Sequence, residues 1–188
     1  MASSGLDDSG PRKRLEAAIA ILEGSPGSLD KAAAALASLL VFVEGISVRA
    51  MESLLRMGEE AAAPLVRMAR LGTEGFSYPR MFPFDSDDEA RGRALALTAL
   101  WRRAKDRGIA DRDALECFVE ATGHGNVGVR TQALHGLREL KDPLSIDALR
   151  RLLNDESGYI RDEAAALIER LEGYPTGPFA DEGHLERG

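Results

Sequence analysis

The sequence has one cysteine, few aromatic residues and no long apolar run. A single cysteine among 188 residues excludes an internal disulfide framework and a zinc site built from several cysteines. No stretch approaches the ~18 consecutive apolar residues of a membrane-spanning helix. The first residues also lack the apolar core of a signal peptide. These absences predict a cytoplasmic protein that does not bind a membrane.

Motifs of catalysis and ligand binding are missing as well. The glycine-containing stretch 123–128 has the wrong spacing for a phosphate-binding loop and follows a predicted helix instead of a strand. His124, His135 and Cys117 lack the paired spacing of zinc ligands. We therefore predict no catalytic residue, no metal and no cofactor. The absences favour a protein that is not an enzyme and leave an enzymatic role open.

The charge balance argues against nucleic acid as a partner. Lys and Arg number 24 and Asp and Glu 31, so the net charge is −7, and an acidic chain repels phosphate backbones. The densest basic cluster is Arg102, Arg103, Lys105 and Arg107. It has three interpretations: a solvated helix end, an acidic-partner site or a phosphate site. Its position favours the first, since cations are stabilised at helix C-termini.

The remaining pattern is that of short amphipathic helices. Alanine, leucine, arginine and glutamate dominate, and apolar residues recur every three or four positions. The predicted helices cover residues 12–23, 29–43, 47–57, 59–71, 86–105, 111–121, 127–140, 143–154 and 158–171. Ser86 and Glu89 have the spacing of a capping box. Residues 1–11 are predicted to be disordered and residues 173–188 to form a flexible acidic tail.

The helices repeat. Arg91, Arg130 and Arg161 are each followed by an alanine three positions later and a large apolar residue ten positions later. These residues are Ala94, Ala133 and Ala164, and Trp101, Leu140 and Leu171. The last two arginines are 31 residues apart, within the range of helical repeat units. We expect the small residues to let helices approach and the large ones to fill the layers between repeats, as in an α-solenoid.

The segment from Val129 to Ala164 resembles the HEAT-repeat family, in particular the bacterial short-repeat type that is also seen in phycobilin lyases. The similar positions include Arg130, Ala133, Leu137 and the pair Asp142-Pro143. The resemblance implies an all-α, right-handed α-solenoid over residues 12–172, with about four helix pairs and an N-terminal capping helix.

The resemblance also implies a structural ladder that links neighbouring repeats. In the family, an aspartate in the turn within a repeat and an arginine six positions later tend to form it. Asp155 with Arg161 and Asp85 with Arg91 have this spacing, and Arg130 is the equivalent arginine between them. His124 replaces the aspartate before Arg130, and Val43 replaces the one before Arg49. The first repeat is therefore degenerate, as terminal repeats often are.

An insertion at residues 72–86 interrupts the repeat. The spacing from Arg49 to Arg91 is 42 residues, 11 more than in the last repeat. We call residues 76–84 the aromatic segment, because they hold four of the ten aromatic residues. The predicted partner-binding residues are Phe76, Tyr78, Arg80, Met81, Phe82 and Phe84. Aromatic residues beside Met and Arg are typical of binding hot spots. The alternative is that the segment folds back and fills a core of its own chain.

Three functions compete at this point. The favoured one is a non-catalytic adaptor or accessory subunit that binds a protein partner through its repeat surface and the aromatic segment. A cofactor-handling protein or enzyme component of the bilin lyase type is the alternative, and it rests on the resemblance alone. Nucleic-acid binding, which some HEAT-like DNA glycosylases show, is disfavoured by the charge. The sequence identifies neither the partner nor the oligomeric state.

Overall fold

A computed structural model describes residues 10–42, 45–76, 84–107 and 112–172. These residues form nine α-helices and, over the same ranges, no strand, so the prediction of an all-α fold is confirmed. The helices are α1 Pro11–Leu22, α2 Leu29–Ser38, α3 Gly45–Arg56, α4 Ala62–Leu71, α5 Ser86–Arg107, α6 Arg112–Ala121, α7 Val127–Leu140, α8 Ile146–Leu152 and α9 Gly158–Glu172. Three short 3-10 turns precede α4, follow it and precede α8. The predicted acidic tail and most of the predicted disordered start lie outside the described residues.

Polar side chains begin several helices where the sequence predicts them. Ser28 accepts the backbone N–H of Lys31 at the start of α2, and Asn126 accepts those of Gly128 and Val129 at the start of α7. The predicted capping box at Ser86 and Glu89 is wrong. Asp85, one residue earlier, caps α5 by accepting two backbone N–H groups. Glu89 is therefore available for a contact outside its own helix.

The chain divides into two compact units, and α5 runs through the boundary between Leu100 and Trp101. In unit 1, α1 packs on α2 and α3, and α2 packs on α3 and α4. The core of this unit is made of fully buried leucines and one methionine. They include Leu15, Leu36, Leu40, Leu54, Leu65, Met68 and Leu97.

In unit 2, α6 packs on α7, α8 packs on α9, and α7 packs on α9. The largest fully buried side chain is Phe118 of α6, which lies against Gly136 of α7. A Cβ atom at Gly136 would overlap the Phe118 ring, so the close approach of these two helices requires glycine. The predicted small and large positions are buried at Ala133, Ala164, Leu140 and Leu171. Ala94 and Trp101, the corresponding residues of the earlier repeat, are only half-buried.

Candidate functional site

The beginning of the insertion is held against α5 by two polar contacts. Glu89 accepts hydrogen bonds from the backbone N–H of Thr73, at 3.0 Å, and from its hydroxyl. Arg93 donates to the carbonyl oxygens of Ala69, at 3.1 Å, and of Arg70. These carbonyls belong to the last turn of α4. The carbonyl groups of a last turn have no N–H partners within their own helix, so side chains can bind them. The chain therefore leaves α4 along a path fixed by two side chains of α5.

Gly72 makes this path possible. Its φ is 60°, in the left-handed region that favours glycine, and a Cβ atom there would overlap the carboxylate of Glu89. The contact between Glu89 and Thr73 thus depends on a glycine at the end of α4.

The other end of the aromatic segment is also fixed. The ring of Phe84 packs edge-on against Phe42, with ring centroids 5.2 Å apart and an interplanar angle of 88°. Asp85 then caps α5. Arg91, six residues later, donates to the carbonyl of Val41, at 3.2 Å, and pairs with Asp88. The insertion is therefore attached to unit 1 on both sides of residues 77–83, at Thr73 and at Phe84.

Two of the six predicted partner-binding residues lie within the described chain. Phe76 and Phe84 are both half-buried, and Phe84 is occupied by its contact with Phe42. This contact within the chain is of the kind expected if the aromatic segment folds back onto its own protein, the alternative to partner binding. The other four, Tyr78, Arg80, Met81 and Phe82, lie outside the described residues.

Arg130 makes the densest set of polar contacts in unit 2. Its Nε and Nη2 donate to the two carboxylate oxygens of Asp155, at 2.6 and 3.0 Å, and Nη2 also contacts Glu156 at 2.9 Å. Its Nη1 donates to the carbonyls of His124 and Gly125, both at 2.9 Å. The guanidinium thereby joins the turn before α7 to the turn before α9.

The ion pair between Arg130 and Asp155 is buried, and each residue shifts the pKa of the other. The side chains of Arg130 and Asp155 are 9% and 4% exposed. The hydrogen bonds from Arg130 lower the pKa of Asp155, against the opposing effect of burial, and the same contact raises the pKa of Arg130. Asp155 also accepts the backbone N–H of Ser157, at 2.8 Å. The Asp155 carboxylate therefore accepts hydrogen bonds both from the backbone just before α9 and from Arg130 of the preceding repeat.

The other predicted ladder residues make related contacts. Arg161 donates to the carbonyls of Asp155 and Glu156, six and five positions before it, as Arg130 does to His124 and Gly125. Arg161 thus meets the Asp155 backbone, while the Asp155 carboxylate binds Arg130. Asp85 and Arg91 do not form this arrangement, since Asp85 caps α5 and Arg91 binds Asp88 and Val41.

A row of aromatic side chains crosses α5, α7 and α9 in unit 2. The rings of Trp101 and His135 lie 6.2 Å apart, and those of His135 and Tyr159 lie 6.4 Å apart, all edge-to-face. We call Trp101, His135 and Tyr159 the aromatic row. No sequence pattern predicts the aromatic row, although Trp101 occupies the position where the two later repeats have leucine.

Hydrogen bonds fix both ends of the aromatic row. Trp101 Nε1 donates to Gln132 at 3.1 Å, and His135 Nε2 lies 3.0 Å from the Tyr159 hydroxyl. Burial, together with Arg138, lowers the pKa of His135, although Glu163 and Glu139 act in the opposite direction. His135 is therefore neutral at pH 7.

A shallow groove of about 300 Å³ lies along α6. Leu115, Val119 and the largely exposed Leu144 form its apolar lining, and Arg112, Glu116 and Glu120 complete it. Within the ranges that the structure covers, no three His, Cys, Asp or Glu side chains are placed to hold a metal ion. None of the helices found there has the length and apolar character needed to cross a membrane.

Comparison with known families agrees with the repeat pattern. Residues 84–169 match the family model described as HEAT repeats. The match covers less than half of the chain and contains the repeats whose arginines are Arg91, Arg130 and Arg161. With the all-helical structure of the described residues, it supports assignment of this part to the HEAT-repeat α-solenoids. No curated protein matches the chain.

Proposed function

We propose that the protein is a non-catalytic interaction module, an adaptor or accessory subunit that binds a protein partner through its repeat surface and the aromatic segment. HEAT repeats generally serve as protein-interaction modules, because stacked repeats offer an extended surface. The observation that carries the proposal is the attachment of the insertion to unit 1 at Thr73, before the aromatic segment, and at Phe84, the last residue of that segment.

Fixed ends favour binding for a thermodynamic reason. Ordering a loop on association costs free energy, and a segment whose ends are already attached has less freedom left to lose. Glu89 and Arg93 hold the beginning of the insertion, and the contact between Phe84 and Phe42 holds the end. The residues between Thr73 and Phe84 include three aromatic residues and a methionine, the composition of a hot spot.

The proposal gives the aromatic side chains of the segment different tasks. Phe84 stabilises the protein's own fold through Phe42. We assign partner contact to Tyr78, Met81 and Phe82, which lie between the fixed ends in the sequence. Loss of Phe84 should therefore weaken the fold, whereas loss of Tyr78 and Phe82 should weaken partner binding.

Affinity capture from a lysate of the native cell, with quantitative mass spectrometry, tests this assignment. The double variant Tyr78→Ala/Phe82→Ala should lose a specific protein that the wild type captures, and its melting temperature should remain unchanged. Val48→Ser is the matched control, since Val48 is an exposed apolar side chain of unit 1 outside the segment. Capture of the same proteins by wild type and double variant would contradict the proposal.

A further inference from the structure

The aromatic row in unit 2 has the properties of a second binding surface. We propose that it binds an extended acidic peptide segment of a protein partner. The proposal concerns residues of α5, α7 and α9 and does not depend on the aromatic segment 76–84. Its basis is the rigidity of the row, its partial exposure and the charges beside it.

The row is ordered before any partner arrives. Trp101 is fixed through its indole N–H by Gln132, and Tyr159 is fixed through its hydroxyl by His135. The Tyr159 side chain is nevertheless 50% exposed, and Trp101 is half-buried. Rigid, partly exposed aromatic side chains lose little conformational entropy on binding, which is why Trp and Tyr are enriched among hot-spot residues.

The charges around Trp101 select an acidic partner. The Arg102 guanidinium lies 5.8 Å from the centroid of the Trp101 ring, and Lys105 follows one turn later on the same side of α5. Within the described part of the chain, neither cation has a carboxylate partner. Both side chains are exposed, in a protein whose net charge is −7. Among the described residues, no carboxylate pairs with either of these two cations beside the single tryptophan, which provides charge complementarity for an acidic segment.

The dimensions of the row fit an extended chain. Successive ring centroids are separated by 6.2 and 6.4 Å. Two residues of an extended peptide advance ~6.6 Å, so alternate side chains repeat at nearly the same spacing as the rings. Two such steps correspond to at most about four residues of the peptide, with the acidic residues toward α5. At the α9 end, Glu163 pairs with Arg138 at 3.6 Å and adds negative charge, so this end is less favourable for carboxylates.

Intrinsic fluorescence provides a direct test, because Trp101 is the only tryptophan. The probes are two blocked hexapeptides, one alternating glutamate with leucine and the other lysine with leucine. We expect the glutamate peptide to change Trp101 emission saturably, with an affinity that falls as salt rises. The lysine peptide should give no saturable change.

Two variants locate the binding and a third controls for net charge. Arg102→Glu/Lys105→Glu and, separately, Tyr159→Ala should each weaken binding of the glutamate peptide at least tenfold. Arg150→Glu/Arg151→Glu changes the net charge equally at two exposed positions of α8 and should leave the dissociation constant unchanged. The three variants should retain the far-ultraviolet circular dichroism of the wild type.

Several results would overturn the proposal. Equal responses to both peptides, or no response to the glutamate peptide, would show that the surface does not select acidic segments. Equal losses in the α5 and α8 double variants would show that only net charge matters. A saturable response to a single-stranded thymidine oligonucleotide without one to the glutamate peptide would instead indicate phosphate recognition.

Discussion

At the scale of single residues, Arg130 and Arg161 occupy equivalent positions but differ in their surroundings. Both donate to backbone carbonyls five and six positions earlier in the chain. Only Arg130 also holds a buried carboxylate, that of Asp155, and Arg161 is exposed. The comparison separates the contribution of the carboxylate pair from that of the carbonyl contacts.

We predict that Arg130→Ala lowers the free energy of unfolding by about 3 kcal/mol, because it leaves the Asp155 carboxylate buried without its partner. Arg161→Ala should cost less than about 1 kcal/mol, as expected for an exposed side chain. Urea denaturation followed by circular dichroism measures both values. Equal losses in the two variants would show that the carboxylate pair contributes nothing specific.

The lowered pKa of Asp155 predicts an acid-sensitive contribution to stability. Because the folded state holds the carboxylate charged, this stabilisation is fully present above its ordinary pKa of 3.8 and is lost as the pH falls through the lowered value. Asp155→Asn should therefore show a smaller loss of stability than the wild type as the solution is acidified below that ordinary value. Identical pH dependences would contradict the assignment of this carboxylate.

At the scale of helices, the packing of α6 on α7 depends on Gly136. Its missing Cβ leaves the space that the Phe118 ring fills, and that ring is fully buried. The two helices approach closely at this point because a large residue faces the smallest one.

Gly136→Ala should destabilise the protein by about 2 kcal/mol, because the added methyl group overlaps the Phe118 ring in a filled core. The matched control is Gly128→Ala in the same helix, where the nearest atom to an added Cβ is Asn126 Oδ1 at 3.1 Å. Thermal denaturation measures both variants. Phe118→Leu should restore part of the loss in the Gly136 variant but not improve the wild type. A Gly136 variant as stable as the control would refute this account.

Helix positions were predictable from the sequence, but some helix starts were not. The apolar spacing and the turn residues predicted each of the nine helices. The predicted helix 86–105 begins where α5 does, but its capping residue is wrong, because Asp85, Ser86 and two further acidic residues all have cap-forming side chains. Local spacing cannot show which of these residues caps the helix. The choice depends on a distant contact, because Glu89 accepts a hydrogen bond from Thr73, 16 residues earlier in the chain, and does not complete a capping box.

At the scale of the whole molecule, the repeat pattern predicted burial better than it predicted the surface. Ala133, Ala164, Leu140 and Leu171 are buried as expected, because these positions contact neighbouring helices within their unit. Trp101 shares the spacing of Leu140 and Leu171 but is half-buried and belongs to the aromatic row. The sequence could not reveal this row, because its three rings are separated by 34 and 24 residues along the chain.

The insertion was recognisable from the longer repeat spacing and its aromatic content. Its attachment was not, because Glu89, Arg93 and Phe42 lie outside it and have no motif in common. These contacts attach Thr73 and Phe84 to other residues of unit 1. The central claim is that the aromatic segment between them in the sequence binds a protein partner.

The most direct test is the dissociation constant of a purified captured partner for the wild type and for Tyr78→Ala/Phe82→Ala, measured by isothermal titration calorimetry. Loss of a hot spot worth about 2 kcal/mol predicts binding at least about 30-fold weaker in the double variant. Val48→Ser should bind as the wild type does. An unchanged dissociation constant in the double variant, with its fold intact, would contradict the central claim.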